Sequence, residues 1–207
     1  MSARGVDNWT DVKLVNEDFG DMNQLELISD EFVLDPSSVQ TPTGREKLAH
    51  VILISNAGSL GHLDRVETLN LSQFKQAYDL NIISSTYLAS KVLQKYASQK
   101  DTKIHLVNIS SLAAVQPFSN WSLYCSGKAA RDMFFKVIAQ ENESADSNIR
   151  VLNYAPGPLD TDMQHEIRTS LTYKDEDTKK SFIKMKEEGT LVDPMESASK
   201  VFISHSS

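Results

Sequence analysis

The 207-residue sequence predicts an α/β fold built on a parallel sheet. Short β-rich apolar runs alternate with longer amphipathic stretches, which is the signature of βαβ units. Two of those runs, His-Val-Ile-Leu-Ile-Ser and Ile-His-Leu-Val-Asn-Ile, are nearly continuous in apolar character, as expected of strands covered on both faces. The composition agrees: 40% hydrophobic and 24% charged residues, with 8 Gly and 6 Pro, describe an ordinary globular chain with enough length for a sizeable core.

The elements follow in order. A first strand is expected over residues 12–15, and a helix over 21–34, where Leu25, Ile28 and Phe32 recur at helical spacing behind Asp21 as N-cap. Residues 36–44, PSSVQTPTG, are a loop by their Pro, Ser, Thr and Gly content. Strands are expected at His50–Ser55, Lys103–Ile109 and 150–154. A long helix is expected over 74–99 from Phe74, Tyr78, Ile82, Leu88 and Val92, and another, rich in Ala and Met, over 121–143. Beyond Pro156 the pattern turns helical and charged, and KDEDTKKSFIKMKEE is expected to be a solvated helical face. No internal repeat and no second domain are read, so residues 1–207 are taken as one domain.

Several function classes are disfavoured by composition. A formal charge of −7, from 21 basic and 28 acidic residues, argues against general nucleic-acid binding, because phosphate contacts need a basic surface. No apolar run approaches the roughly 20 residues a bilayer requires, and the N-terminus has no apolar signal core, so a cytoplasmic chain without membrane contact is expected. Asn70-Leu71-Ser72 is then a chance glycosylation triplet. Cys125 is the single cysteine, and His50, His62, His105, His165 and His205 show no metal-ligand spacing, so no metal site is expected.

Chemistry is suggested by Tyr124 and Lys128, four apart and therefore on one face of a helix. Composition alone yields roughly 0.4 such pairs by chance, and an exposed Tyr and Lys on a solvated helix is the plain alternative. Ser110 and Ser111 add context, because they stand where the strand Lys103–Ile109 ends, and in parallel sheets the ligand crevice lies at the strand carboxyl ends. A lysine ammonium near a tyrosine favours its phenolate, which lowers the phenol pKa from about 10 toward the working pH. A nearby serine hydroxyl can hydrogen-bond a carbonyl oxygen as negative charge grows on it. These are the parts of a carbonyl reduction. Cys125 reads as a small packing residue, and Ser111 lacks the Gly-x-Ser-x-Gly surroundings of a hydrolase nucleophile.

With Ser111, Tyr124-Cys125-Ser126-Gly127-Lys128, Asn56-Ala57-Gly58, Asn81 and Pro156-Gly157 with Thr161 in this order, the sequence resembles the short-chain dehydrogenase/reductases. The stretches NAGSLG, VNISSLAAVQPFSNWSLYCSGKAARDM and RVLNYAPGPLDTDMQ are most similar to the branch that reduces side-chain carbonyls of pterins in tetrahydrobiopterin formation. The resemblance implies a Rossmann-like doubly wound sheet and NADPH as hydride source. It implies Tyr124 as acid/base, Lys128 as its partner and ribose ligand, Ser111 as carbonyl orienter and Asn81 as support for a proton-relay water. Asn56, Ala57, Gly58, Pro156, Gly157 and Thr161 would line the cofactor, and a homodimer through the two long helices is implied for the complete protein. Asp18 either matches the family's adenine-side aspartate or caps a helix.

The sequence departs from that family where the cofactor pyrophosphate binds. Gly5, Gly20, Gly44, Gly58, Gly61, Gly127, Gly157 and Gly189 form no glycine-rich turn. Met1-Ser2-Ala3-Arg4 resembles the end of the family's second strand, with Arg4 at the NADP 2′-phosphate. The first two strands and the last are accordingly expected to be missing from the sheet. Two expectations follow. Strand His50–Ser55 should offer an apolar edge, and the chain as written should bind NADPH weakly, leaving a noncatalytic association partner as the alternative to an active reductase.

Overall fold

Aliphatic and β-branched residues form three strands, β1 (His50–Ser55), β2 (Lys103–Ile109) and β3 (Ile149–Tyr154), paired in parallel in the order β1-β2-β3. In the computed structural model, residues 48–170, 173 and 175–203 are described. Arg4, Asp18, the expected strand 12–15, helix 21–34 and loop 36–44 lie outside them. The register sets Ser55 opposite Asn108, and Asn108 opposite Asn153, so the carboxyl ends of all three strands finish level. Two of the expected strands have the bounds read from sequence, and the third begins one residue earlier, at Ile149.

Burial is less even than two-sided coverage would give. Only central β2 is largely buried, whereas β1 is mostly intermediate and its Ile54 is 46% exposed. The physical reason is position: among the described residues β1 pairs on one side only.

The expected helix over 74–99 is three segments. It begins at Leu71, because Asn70 caps the first turn reciprocally with Gln73, and α1 (Leu71–Tyr78) leads into a π turn over Asp79–Ile83 and then α2 (Ser84–Tyr96). The expected helix over 121–143 is α3 (Ser122–Glu141). Ile104 and Leu106 alternate along β2 toward Ala89, Val92 and Tyr96 of α2 and Phe135 and Ile138 of α3, forming the main core.

After β3 come α4 (Asp162–Thr169), α5 (Glu176–Glu187) and α6 (Pro194–Ile203). The segment leaving β3 is tied down by Val192, whose amide donates to Pro158 and whose carbonyl accepts from Asp160, and by the Lys186–Asp160 ion pair at 2.6 Å. The expectation of a solvated helix over KDEDTKKSFIKMKEE is corrected in part. α5 turns Phe182 inward against Trp121, the rings lying 6.1 Å apart and nearly parallel. No described helix is long and apolar enough to cross a membrane.

Candidate active site

A cavity of about 570 Å³ opens at the carboxyl ends of the three strands. Asn56 and Gly58 reach it from the exit of β1, Ser110 and Ser111 from β2, Pro156 and Gly157 from β3, and Tyr124 and Lys128 from α3. Level strand ends and short exits bring these separated segments together.

Tyr124 and Lys128 are 7% and 6% exposed, so the solvated-face alternative does not hold. The lysine amine donates to the Ile109 carbonyl at 2.7 Å and stands 5.6 Å from the Tyr124 ring centre. Ser111, extended at the end of β2, hydrogen-bonds the Tyr124 phenol, and its Oγ accepts from the Ala113 amide at 3.2 Å. The three residues read from sequence are thus in one place.

The expected electrostatics need correction. Burial pushes the Tyr124 phenol above its usual value, against the Ser111 hydrogen bond and the positive charge of Arg131, which pull it down. Burial and then the like charge of Arg131 hold the Lys128 pKa down at about 7, against the opposing influence of Asp132. An amine that is half neutral at pH 7 is a weak electrostatic partner.

Asn81 sits in the middle of the π turn and is 2% exposed. Its Oδ1 accepts from the Ser59 amide at 2.9 Å, and its Nδ2 donates to the Ser59 carbonyl at 3.0 Å. Two glycines make room for it. A Cβ on Gly58 would stand 2.9 Å from Asn81 Oδ1, and one on Gly127 would stand 3.1 Å from its Cβ. Ala57 does not line the cavity; its carbonyl accepts from Arg131 instead, at 2.9 Å. Gly157 has φ +83° with open space where a Cβ would stand, and Thr161 is the N-cap residue of α4 at the cavity wall.

Sequence reading missed two groups. One is the buried polar cluster of Arg131, Asn108, Asp132 and Asn153, whose only sequence signal is polar residues inside otherwise apolar runs. The other is the aromatic wall: Trp121 meets Tyr124 edge-on at 5.7 Å and faces Phe182 across the cavity lining.

The family model described as short chain dehydrogenase matches residues 45–172. The chain belongs to the short-chain dehydrogenase family. It is 44% identical over 158 residues to sepiapterin reductase of Bos taurus, covering 75% of this chain and 57% of that protein. It is 32% identical over 174 residues to benzil reductase ((S)-benzoin forming) of Bacillus subtilis (strain 168), covering 84% of this chain and 69% of that one. The solved structure of the KRED1-Pglu enzyme superposes with a TM-score of 0.69 at 26% identity, over 87% of this chain and 68% of that one. The chain thus spans little more than half the length of the bovine sepiapterin reductase. It carries a Rossmann-like short-chain dehydrogenase fold, with a three-stranded parallel sheet among the described residues.

Proposed function

We propose that this chain carries the carbonyl-reducing site of an NADPH-dependent reductase of pterin side chains, similar to sepiapterin reductase. The observation that carries the reading is the convergence of Ser111, Tyr124 and Lys128 on one cavity beside an aromatic wall. The residues present fit the nicotinamide and ribose half of the cofactor. Gly157 leaves open space at the wall, and Asn56, Gly58, Pro156 and Thr161 line the same cavity as Lys128. When bound, NADPH supplies the hydride. The choice of NADP over NAD rests on Arg4 and on the likeness to sepiapterin reductases.

Each residue then has a defined task. Ser111 donates toward the substrate carbonyl oxygen and holds it beside Tyr124. As the carbonyl carbon accepts hydride, its oxygen takes the phenolic proton of Tyr124 and the product is an alcohol. Lys128 binds the ribose side and the Ile109 carbonyl. Asn81, whose amide is committed to Ser59, supports a relay water through its main chain. Trp121 and Phe182 offer flat apolar surface to a planar ring.

Tyr124→Phe is the deciding variant, because it keeps the ring and removes the proton. Assayed in this chain and in a chimera bearing the N-terminal segment of a sepiapterin reductase, it should abolish NADPH-dependent sepiapterin reduction and leave cofactor binding nearly intact. Near wild-type turnover in the chimera would refute the role of Tyr124. The alternative, a noncatalytic association partner, would show no turnover in the parent chain with retained self-association.

A further inference from the structure

The buried cluster behind the cavity is organised by Arg131, which is 0% exposed. Its Nε donates to Asn108 Oδ1 at 2.9 Å and its Nη1 to the Ala57 carbonyl at 2.9 Å, while Nη2 donates to the Ser55 carbonyl. Asn108 is itself held by its amide, which donates to Asp132 Oδ1 at 2.9 Å and to Asn153 Oδ1 at 2.8 Å. One guanidinium therefore joins the exit of β1, the end of β2 and helix α3. The two carbonyls it binds flank Asn56, and Gly58, which follows them, packs on Asn81. Tyr124, Lys128 and Arg131 stand at i, i+4 and i+7, one stripe of α3 facing the sheet.

We propose that Arg131 is a positioning residue of this site: it locks the exit of β1 onto β2 and holds a positive charge on the same helix stripe as Tyr124 and Lys128. The inference rests on reading those two residues as the carbonyl-reducing pair. A guanidinium keeps its charge to higher pH than a buried amine: burial lowers Arg131 to about 10, against about 7 for Lys128. With the Lys128 pKa at about 7, Arg131 is the cation that persists across the working pH range. The groups that face the stripe are few. The Tyr124 phenol is acted on by Ser111, Arg131 and Cys125, the Lys128 amine by Arg131 and Asp132, and Arg131 by Tyr124 and Asp132. Arg131 is thus a charge acting on both members of the pair, and it acts oppositely on their functions: it favours phenolate and disfavours ammonium.

That sign pattern makes the test specific. In the full chain, Arg131→Met removes the charge, and the midpoints of Tyr124 and Lys128 are followed by tyrosinate absorbance and by lysine side-chain NMR. Tyr124→Phe and Lys128→Met serve as assignment controls. Loss of a fixed cation raises both midpoints, by about one unit at the effective dielectric of such sites. Mere loosening of the fold relieves burial instead, which moves Tyr124 down toward about 10 while Lys128 rises. A Tyr124 midpoint that falls or stays still in folded Arg131→Met overturns the proposal. If that variant does not fold, Arg131→Lys decides. As a buried amine it loses the fork and, at the pH where Tyr124 titrates, the charge as well, so it should raise the Tyr124 midpoint and speed hydrogen exchange at the Ser59 amide, and a fall toward 10 overturns the proposal. Neither readout needs turnover. Midpoints that move as stated while the chimera bearing the N-terminal segment of a sepiapterin reductase shows no sepiapterin reduction would refute the carbonyl-reducing reading and leave the electrostatic role of Arg131 standing.

Discussion

A lysine amine at the wall of a mostly apolar cavity is held against its own solvation. Burial, with Arg131 beside it, depresses the Lys128 pKa to about 7 from 10.5, so in the folded chain the charged form is disfavoured. The sign follows from linkage: the folding penalty is fully present below about pH 7 and fades as pH rises toward 10.5. Lys128→Met should therefore raise stability at pH 7 by about 1–3 kcal/mol, the relief of the buried charge being offset by the unpaired Ile109 carbonyl. Urea unfolding across pH checks it. The advantage of the variant should be constant below pH 7 and vanish near pH 10.5, and the same variant should be impaired in both ribose binding and carbonyl reduction.

The π turn Asp79–Ile83 is the element that most separates the observed helix from its expected form. One π turn inside an otherwise α-helical run re-aims a single side chain, and such turns concentrate at functional sites. Here it delivers Asn81 into the notch left by Gly58 and Gly127, where its amide replaces two main-chain partners of Ser59. Asn81→Ala should cost about 1–3 kcal/mol, because two hydrogen bonds of a part-buried loop are lost. The local readout is hydrogen exchange: the Ser59 amide should exchange faster in the variant, while amides of β2 keep their protection. Unchanged exchange at Ser59 would mean that the loop is held by Arg131 alone.

At the scale of the whole chain, the charge of the cofactor is the deciding quantity. No two of the eight glycines are close enough in sequence to build a phosphate-cradling turn, apart from Gly58, which makes room for Asn81, and Gly61, which packs toward Ala77 and Leu123. Losing several charge-assisted hydrogen bonds of about 1.5–3 kcal/mol each weakens binding by at least two or three decades. Fluorescence titration of the 207-residue chain with NADPH should therefore give weaker binding, by that factor, than a sepiapterin reductase measured alongside. Saturable micromolar binding with turnover would contradict it. Association is the other whole-molecule property. Met133 and Val137 are exposed one turn apart on α3, an apolar pair on a helix through which the family resemblance implies a homodimer. Sedimentation of the chimera that bears the N-terminal segment of a sepiapterin reductase should show a dimer at micromolar concentration, and Met133→Lys should shift it toward monomer.

Local pattern and short spacing determined much of this protein by themselves. The strands at His50–Ser55 and Lys103–Ile109 followed from apolar runs of strand length, and Ser111, Tyr124 and Lys128 from a strand end and an i, i+4 pair. Such signals are legible because the residues that cause them are neighbours in the chain. Tertiary structure alone decided the electrostatics. Arg131 reaches the Ser55 and Ala57 carbonyls across more than seventy residues, Phe182 closes on Trp121 from a helix that reads as solvated, and Asn81 is aimed by glycines before and after it. Charge, burial and backbone approach are properties of what packs together, so the pull on the Tyr124 phenol came from Arg131 and Ser111, and the lysine beside it was partly discharged by burial.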